Sequence, residues 1–398
     1  MFLDVTCRRN PGLIRAAVRL HQSGRIWPNT YVVDLDAVEA NARLIAGAAR
    51  SAGISLYFMT KQLNRNPEIA RAIASQGIAR AVAVDWEEAM TLDQAGVRVG
   101  HVGHLVQLPC KAIGPIFSMK PEVITVFSLD KAAEIAAEAI NRGMEQPILL
   151  RVVGRGDWFH PGQVGGIAER DLPSVANAIA HLGGVKIAGV TSFPCVTFDE
   201  RRRTAVATPN MRTLRRCALL LEKELGIRVS QVNAPSMTAV GTMDLLAREG
   251  ATHAEPGHSL TGTTPLHARS DQPETPAVVY VTEVSHVFGG RVYCFGGGFY
   301  PRSQARAALS GRDPDELFGR TLTFEGISNE SIDYYGTLIN SRGLDIRTGD
   351  TVVFAFRAQM FASRSSLALA RRVSSDDPDL VSVYSPRGDR RETREARE

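Results

Sequence analysis

The chain of 398 residues has few of the features that would mark a function at once. Its five cysteines are scattered and include no Cys-x-x-Cys pair. This argues against a disulfide framework or a structural zinc site, and it suits a reducing cytoplasm. Apolar runs are too short for a membrane span or a signal peptide. We therefore expect a cytoplasmic protein without a metal site.

The charge of the chain also excludes some partners. Its 46 basic and 42 acidic residues give a net charge of +4, which is too balanced to favour nucleic acid or an anionic membrane. The first predicted strand is not followed by a Gly-x-Gly-x-x-Gly turn, which weakens a dinucleotide-binding interpretation.

Short apolar, β-branched runs alternate with helical patterns from residue 31 to about residue 262. This alternation predicts a parallel sheet with crossover helices, and its spacing favours a (β/α)8 TIM barrel. The predicted strands are Tyr31–Leu35, Ile54–Met59, Arg80–Val84, His101–Leu105, Val123–Val126, Pro147–Val153, Lys186–Thr191, Val229–Val232 and Thr252–Glu255. The predicted helices are Val38–Ala52, Pro67–Gln76, Trp86–Ala95, Lys111–Ser118, Lys131–Arg142, Pro173–Leu182, Met211–Leu225 and Ala239–Glu249.

After residue 265, strand-like runs and turn signals predict a mostly antiparallel β domain. Gly296-Gly297-Gly298 lies in this domain, so we interpret it as a tight turn rather than a phosphate loop. The predicted organisation has four parts: residues 1–30, which precede the barrel or join the β domain; a barrel over 31–264; a β domain over 265–375; and a disordered tail over 376–398.

Lys61 ends the apolar run Leu56–Met59. A residue at the carboxyl end of a barrel strand lies where such folds carry their chemistry. Burial lowers the pKa of a lysine and makes its amine a nucleophile for carbonyl groups. The alternative is a strand-end lysine that faces solvent.

Three segments carry a resemblance to a known family: Phe58–Pro67, Thr191–Pro194 and Glu255–Pro265. With the barrel and β domain, they resemble the fold-type III enzymes that use pyridoxal 5'-phosphate (PLP). Alanine racemase and the ornithine and diaminopimelate decarboxylases form this family. The nearest likeness is to the YhfX-type branch of amino-acid racemases.

This resemblance implies that Lys61 forms the Schiff base with PLP. An amino-acid substrate then displaces Lys61 and forms the external aldimine, and the freed amine of Lys61 exchanges the proton at the α-carbon. Glu255 matches the glutamate that contacts the pyridine nitrogen in the decarboxylases; the alternative is a strand-end carboxylate in an ion pair. His258 stands where those enzymes have an arginine. It is a candidate for binding phosphate or carrying a proton, or else a structural histidine.

Other candidates surround the cofactor. Asn233, Ser236, Thr238 and Gly257 lie in two loops that follow predicted strands, where backbone N–H groups bind phosphate. Helix capping by Ser236 is a compatible alternative. By position, Arg151 and His160 are further candidates for contacting the cofactor or lining its pocket.

Racemisation needs a second proton carrier, and Tyr334 and Tyr335 are the candidates from the β domain, supplied by the partner in a homodimer. A decarboxylase or a PLP carrier without turnover remains an alternative. The decarboxylases' cysteine motif is missing, and Cys294 has the apolar context of a core residue. We expect an amino-acid substrate whose side chain the sequence does not identify.

Overall fold

The computed structural model describes residues 1–300, 303–328, 330 and 332–392. The chain forms two compact units. The first, here the barrel unit, contains Ala42–Lys61 and Pro67–Ser259. The second, here the sheet unit, contains Met1–Asn41, Gln62–Asn66 and the chain from Leu260 onward.

Eight parallel strands form the barrel unit. In chain order they are Ser55–Leu56, Ala81–Ala83, Val99–Val102, Val123–Val126, Gln146–Val153, Val185–Thr191, Gln231–Asn233 and His253–Ala254, here the first to eighth barrel strands. From the second strand on, each pairs with the next, and the eighth pairs with the first. The ring closes because Phe58, just beyond the first strand, bridges in parallel to Ala81. The predicted (β/α)8 fold is confirmed.

Helices separate these strands, as the sequence pattern predicts. They are Leu35–Ala52, Pro67–Ser75, Trp86–Gln94, Ile113–Ser118, Leu129–Asn141, Leu172–Ala180, Pro209–Lys223 and Met243–Arg248. Short 3₁₀ segments lie at Lys61–Leu63, Cys110–Ala112, Glu169–Asp171, Val240–Thr242 and His258–Thr261, and small strands at Ile167–Ala168, Val196–Asp199 and Thr204–Ala207. Asp85 and Ser128 start their helices by accepting hydrogen bonds from the backbone N–H groups of Glu88 and Lys131.

The sheet unit contains a closed antiparallel ring. Its strands are Val278–Phe288, Arg291–Phe295, Tyr335–Ile339, Thr321–Phe324, Ala307–Gly311 and Thr351–Phe354, in the order of pairing. The sheet continues through Thr30–Asp34, Ser366–Arg371, Asp379–Tyr384 and Arg390–Arg391, and 3₁₀ segments lie at Glu316–Gly319 and Met360–Ala362. The predicted C-terminal β domain is confirmed.

Two local predictions were wrong. The segment Tyr31–Leu35 does not open the barrel, because the strand Thr30–Asp34 pairs with Val278–Val281 and with Ser366–Ala370 in the large sheet. A fully buried apolar strand fits either sheet, so only long-range pairing decides its place. Much of the expected tail is ordered, since Asp379–Tyr384 pairs with Leu367–Arg371. Residues 393–398 lie outside the described residues.

The N-terminal helices Phe2–Arg9 and Pro11–Gln22 belong to the sheet unit. Leu13, Ile14 and Leu20 are buried in one apolar cluster with Val32 and Val281 of the sheet. Asn10 starts the second helix by accepting a hydrogen bond from the Leu13 backbone N–H group, and its side-chain amide donates to Asp34. This burial explains why an arginine-containing segment folds as a packed amphipathic helix.

The glycine run of the sheet unit has a structural reason. A Cβ atom on Gly296 would lie 1.9 Å from the Asp333 carbonyl oxygen, and one on Gly298 would lie 2.2 Å from the Tyr280 ring. Only glycine allows these approaches, which supports the tight-turn interpretation. Among the described residues, none of the helices is long and apolar enough to cross a bilayer.

Candidate active site

The carboxyl ends of parallel barrel strands meet at one end of the barrel, which gathers residues that are distant in the chain. The residues that lie near or just beyond the carboxyl end of a barrel strand include Lys61, His104, Arg151, Phe193, Asn233 and Glu255. Because the eighth strand pairs with the first, the segments that carry Glu255 and Lys61 are neighbours, and the Met59 backbone N–H group donates to the Pro256 carbonyl oxygen over 2.9 Å.

Glu255 is the centre of a buried polar cluster. Its Oε1 accepts hydrogen bonds from His101 Nδ1 and Asn233 Nδ2, both over 2.7 Å, and its side chain has no solvent exposure. Burial alone would raise the pKa of Glu255, but attraction to His104 and His101 and these hydrogen bonds outweigh it and hold the pKa at about 2. The carboxylate is therefore an anion at neutral pH, which a buried acid reaches only with good partners.

His104 lies beside this carboxylate with its Nε2 3.6 Å from Glu255 Oε2. Burial is the main cause that lowers the pKa of His104 to about 3, and the charge of Lys61 lowers it further. His104 is thus neutral at neutral pH and attracts Glu255 as a charge only in acid, so the hydrogen bonds from His101 and Asn233 are what hold the carboxylate at neutral pH.

Several buried polar atoms of this cluster make no hydrogen bond with the described residues. Within the part of the chain that the structure describes, Glu255 Oε2 and both ring nitrogens of His104 are buried without a hydrogen bond. Buried polar atoms are nearly always bonded, so this arrangement is suited to a ligand that supplies donors or acceptors. An unpaired carboxylate oxygen matches the protonated pyridine nitrogen of PLP, and the nearby amine of Lys61 matches its aldehyde.

The same atoms also fit a second kind of ligand. The donor atoms of His101, His104 and Glu255 all lie within 4.8 Å of one another, and two imidazoles with a carboxylate are a common ligand set for transition metals. The sequence analysis expected no metal site. The geometry alone therefore allows two occupants, and the neighbouring lysine favours the organic cofactor, since an amine is not part of that ligand set.

Lys61 is half-buried at the start of a 3₁₀ segment. The residue before it is fixed, because Thr60 is fully buried and its hydroxyl donates to Glu88 Oε1 over 3.2 Å. Glu88 is itself buried and accepts a hydrogen bond from the Val84 backbone N–H group through its other oxygen. The backbone that presents Lys61 is therefore anchored to a neighbouring strand end and helix, and the role of the lysine stays a prediction.

Arg151 lies near the carboxyl end of the fifth barrel strand and is almost fully buried. Its guanidinium donates to the carbonyl oxygens of His104 and Gln163 and lies over the Phe127 ring. Burial lowers the pKa of Arg151 to about 10, so it remains charged, and its Nε has no hydrogen bond among the described residues. The arginine braces two loops, and its contact with a cofactor stays a prediction.

His160 lies in the loop after the fifth strand, where aromatic rings surround it. Its ring centroid is 4.6 Å from that of Trp158 and 5.8 Å from that of Phe193, and Phe193 meets the His104 ring edge to face at 5.5 Å. These contacts link the predicted residue His160 to the buried cluster through one aromatic ring.

The loop after the seventh barrel strand joins the Glu255 segment. Thr238 Oγ1 accepts a hydrogen bond from the Glu255 backbone N–H group, and the Ser236 hydroxyl donates to the Val196 carbonyl oxygen over 2.6 Å. Ser236 and Met237 have φ angles of 99° and 49°, which non-glycine residues rarely adopt. Such strain is common at ligand sites, but the predicted phosphate contacts stay untested.

The remaining candidates lie in different places. Gly257 and His258 are half-buried directly after Glu255, in the barrel unit. Tyr334 and Tyr335 belong to the sheet unit and are exposed, at 64% and 46% of their surface. Exposure leaves both hydroxyl groups accessible to another molecule, and their catalytic role remains a prediction.

The sequence interpretation missed His101 and His104. They occupy the end of the third barrel strand, in Val99-Gly100-His101-Val102-Gly103-His104. Two histidines at a predicted barrel strand end are the signal that could have found them, because that position is where barrels carry chemistry.

Comparison with known proteins assigns the chain and its fold to a family. Residues 33–265 match the family described as alanine racemase, N-terminal domain, and residues 279–380 match YhfX-like, C-terminal domain. The chain is 40% identical to the protein named uncharacterized protein YhfX of Escherichia coli strain K12, over 98% of this chain and 99% of that protein. The chain belongs to the alanine racemase-like, fold-type III family of PLP-dependent proteins.

Solved structures agree with this family fold. D-threonine aldolase from Filomicrobium marinum has a TM-score of 0.65 at 13% identity and covers 90% of this chain and 95% of its own. D-threo-3-hydroxyaspartate dehydratase from Delftia sp. HT23 has a TM-score of 0.66 at 16% identity, with coverage of 88% and 96%. Alanine racemase of Clostridium difficile 630 has a TM-score of 0.63 at 14% identity, with coverage of 90% and 98%. At these identities the likeness concerns the fold, and the reactions of these proteins differ.

Proposed function

We propose that the protein is a PLP-dependent amino-acid racemase, in which Lys61 holds the cofactor and moves the α-proton on one face of the substrate. The observation that carries the proposal is the pairing of two features in one barrel: a lysine at a barrel strand end, and an anionic Glu255 with one unpaired buried oxygen. PLP supplies an electron sink for chemistry at the α-carbon.

The residues of the chain divide this work. Glu255, as an anion, stabilises a proton on the pyridine nitrogen. Lys61 accepts or donates the α-proton once the substrate has replaced it, and Asn233 keeps the carboxylate in place. Arg151 and His160 line the pocket walls in this proposal, while the Ser236–Thr238 loop and Gly257–His258 bind the phosphate.

A second face needs a second proton carrier. We propose Tyr334 or Tyr335 of a second copy of the chain, because both are exposed and a tyrosine hydroxyl can donate and accept a proton. The proposal thus includes a homodimer in the cytoplasm. A monomer that is fully active by gel filtration would contradict the dimer.

Decarboxylation is the second candidate, and Glu255 favours it because a protonated pyridine is a strong electron sink. Cys294 does not favour it. This cysteine is fully buried, its Sγ lies 3.5 Å from the Gly336 carbonyl oxygen, and burial raises its pKa to about 12. A thiol in this state is packed in the core and unavailable as a reactive group.

The test is incubation of the PLP-saturated protein with single L-amino acids in deuterated water. Inverted product with deuterium at the α-carbon supports the racemase, and released carbon dioxide supports the decarboxylase. Neither product across a broad panel supports a carrier without turnover.

The variant Lys61→Ala tests the attachment. We expect this variant to lack the absorbance at about 420 nm of covalently bound PLP. Its turnover should fall by on the order of a thousandfold. Lys111→Ala, which removes an exposed lysine of the same unit, is the matched control and should behave as the parent protein. Borohydride trapping that labels a lysine other than Lys61 would overturn the assignment.

A further inference from the structure

His101 joins several segments of the barrel interior through its two ring nitrogens. It comes from the third barrel strand, bonds Glu255 after the eighth strand through Nδ1, and bonds Thr125 of the fourth strand through Nε2 over 2.6 Å. Its side chain is completely buried. It therefore fixes three parts of the barrel in one hydrogen-bonded row.

The partners of His101 decide where its proton lies. An ionised carboxylate only accepts hydrogen bonds, so His101 Nδ1 must carry the hydrogen towards Glu255 Oε1. The Thr125 hydroxyl then stabilises this form of the ring by bonding Nε2. The rings of Tyr57 and His104 lie against His101 at centroid distances of 5.8 and 5.5 Å, which restricts its rotation.

Asn233 completes the arrangement on the same carboxylate oxygen. Its Nδ2 also donates to Glu255 Oε1, and it lies 3.3 Å from His101 Nδ1. Two donors therefore bind one oxygen, while Oε2 remains without a hydrogen bond among the described residues. The bonding is asymmetric, so the carboxylate presents one oxygen to the protein and the other to a ligand.

We propose that His101, held by Thr125, is a positioning residue that keeps Glu255 anionic and thereby maintains a proton on the pyridine nitrogen of the bound cofactor. This inference rests on the proposed attachment of PLP to Lys61. A buried carboxylate that loses a donor is driven towards its protonated form, because the remaining partners no longer offset its desolvation. A protonated Glu255 would no longer favour a charge on the pyridine.

The experiment uses PLP labelled with ¹⁵N in the pyridine ring, bound to the full-length protein. The ¹⁵N chemical shift reports directly whether that nitrogen is protonated, independently of turnover. We expect a protonated nitrogen in the parent protein, an unprotonated one in His101→Leu, and partial recovery in His101→Gln, which retains an amide donor. The rate of α-deuterium exchange should fall by about tenfold to hundredfold in His101→Leu, in kcat rather than KM.

His253→Leu is the matched control. His253 is another buried histidine of the barrel interior, two residues before Glu255, but its Nδ1 bonds the Thr252 hydroxyl and its ring stacks on Tyr57. The substitution His253→Leu removes a similar side-chain volume and similar packing contacts, so we expect the pyridine nitrogen to stay protonated in this variant. Equal ¹⁵N shifts in His101→Leu and His253→Leu would show that His101 acts only through packing and would overturn the inference.

A second pair of variants covers the case in which His101→Leu does not fold. Thr125→Val removes the hydroxyl that bonds Nε2, whereas Thr125→Ser keeps it. We expect the pyridine to lose its proton at a lower pH in the valine variant than in the serine variant. An unprotonated nitrogen in the parent protein itself would also overturn the inference.

Failure of the proposed function gives a different result. If the labelled PLP is not attached through Lys61 in the parent protein, the proposed function falls and this inference falls with it. If it is attached but the ¹⁵N shift ignores His101 and Thr125, only the inference falls. Stoichiometric zinc that persists on purified protein and is released in His101→Leu and His104→Leu would instead assign the cluster to a metal and overturn the inference.

Discussion

The two units differ in the kind of side chains that form their central buried clusters. The barrel unit buries hydrogen-bonded polar side chains at its centre, among them Glu255, His101, Asn233 and Thr125. The sheet unit buries aromatic rings in contact with one another, among them Tyr280, Phe354 and Phe356. Polar burial costs free energy unless every atom is satisfied, so the polar cluster of the barrel depends on its hydrogen bonds in a way that the aromatic cluster does not.

The unsatisfied atoms sharpen this difference. In the barrel, two of these atoms lie close together, since Glu255 Oε2 is 3.6 Å from His104 Nε2. The aromatic cluster of the sheet unit instead satisfies its polar tips internally, because Tyr31 donates to the Gly298 carbonyl oxygen and Tyr280 donates to Asn29. A cluster whose buried polar atoms are all hydrogen-bonded contributes to stability, whereas a cluster with polar atoms that lack hydrogen bonds is suited to binding a ligand.

The largest expected effect is on the aromatic cluster. Phe354→Ala should lower the free energy of unfolding by about 3–5 kcal/mol, because a fully buried ring leaves a cavity. Chemical denaturation measures this loss, and Phe288→Ala, at a residue that is 75% exposed, is the control with little expected change. PLP bound per folded molecule should stay constant. Loss of cofactor binding in the folded variant would mean that the two interiors are not as distinct as described.

An intermediate loss of folding stability is expected when the pH is lowered. Burial is the main cause that lowers the pKa of His104 to about 3, and of His253 and His21 to about 4. Because the folded pKa values lie below the usual 6.5, this stability is fully present above pH 6.5 and is lost as the pH falls towards 4. Each histidine should contribute about 1–3 kcal/mol over this window.

Two of these histidines, His104 and His253, lie in the barrel unit and one, His21, in the sheet unit. Acid should therefore destabilise the barrel more. Hydrogen exchange corrected for its intrinsic pH dependence, measured at pH 7 and pH 4.5, would resolve the units separately. His253→Gln should reduce the barrel's pH dependence and leave that of the sheet unit unchanged. Equal losses in both units would contradict the contrast between them.

The smallest expected effect compares two helix starts. Asp85→Ala removes the side-chain acceptor for Glu88 N–H at the start of a barrel helix and should cost about 1 kcal/mol. Asn10→Ala in the sheet unit should cost about 2 kcal/mol, because the buried Asn10 also donates to Asp34 and to the Pro276 carbonyl oxygen. Thermal unfolding of both variants gives the ranking, and the reverse order would argue against the importance of the buried network.

Much of the fold was readable because its signals are local. The alternation of apolar runs with helical patterns located seven of the eight inter-strand helices within three residues at each end, for example Trp86–Gln94 against the predicted Trp86–Ala95. Turn signals likewise identified the antiparallel character of the chain after residue 265.

The site was readable only in part. Lys61 and Glu255 stood out because each ends an apolar strand within a family-like segment, and Glu255 does lie in a buried cluster. His101 and His104 did not, since a histidine in an apolar run has the same pattern whether it packs in a core or binds a carboxylate. The bond that joins His101 to Glu255 spans 154 positions of the chain.

The sequence by itself determined the β/α alternation and the change to a β domain, because periodicity is written in neighbouring residues, and three of its segments resemble a PLP-dependent family. Only the tertiary structure decided that Thr30–Asp34 joins the large sheet and that His101, Asn233 and Glu255 meet. Strand pairing and closure of a barrel depend on contacts between distant segments, and the free energy of those contacts has no local pattern.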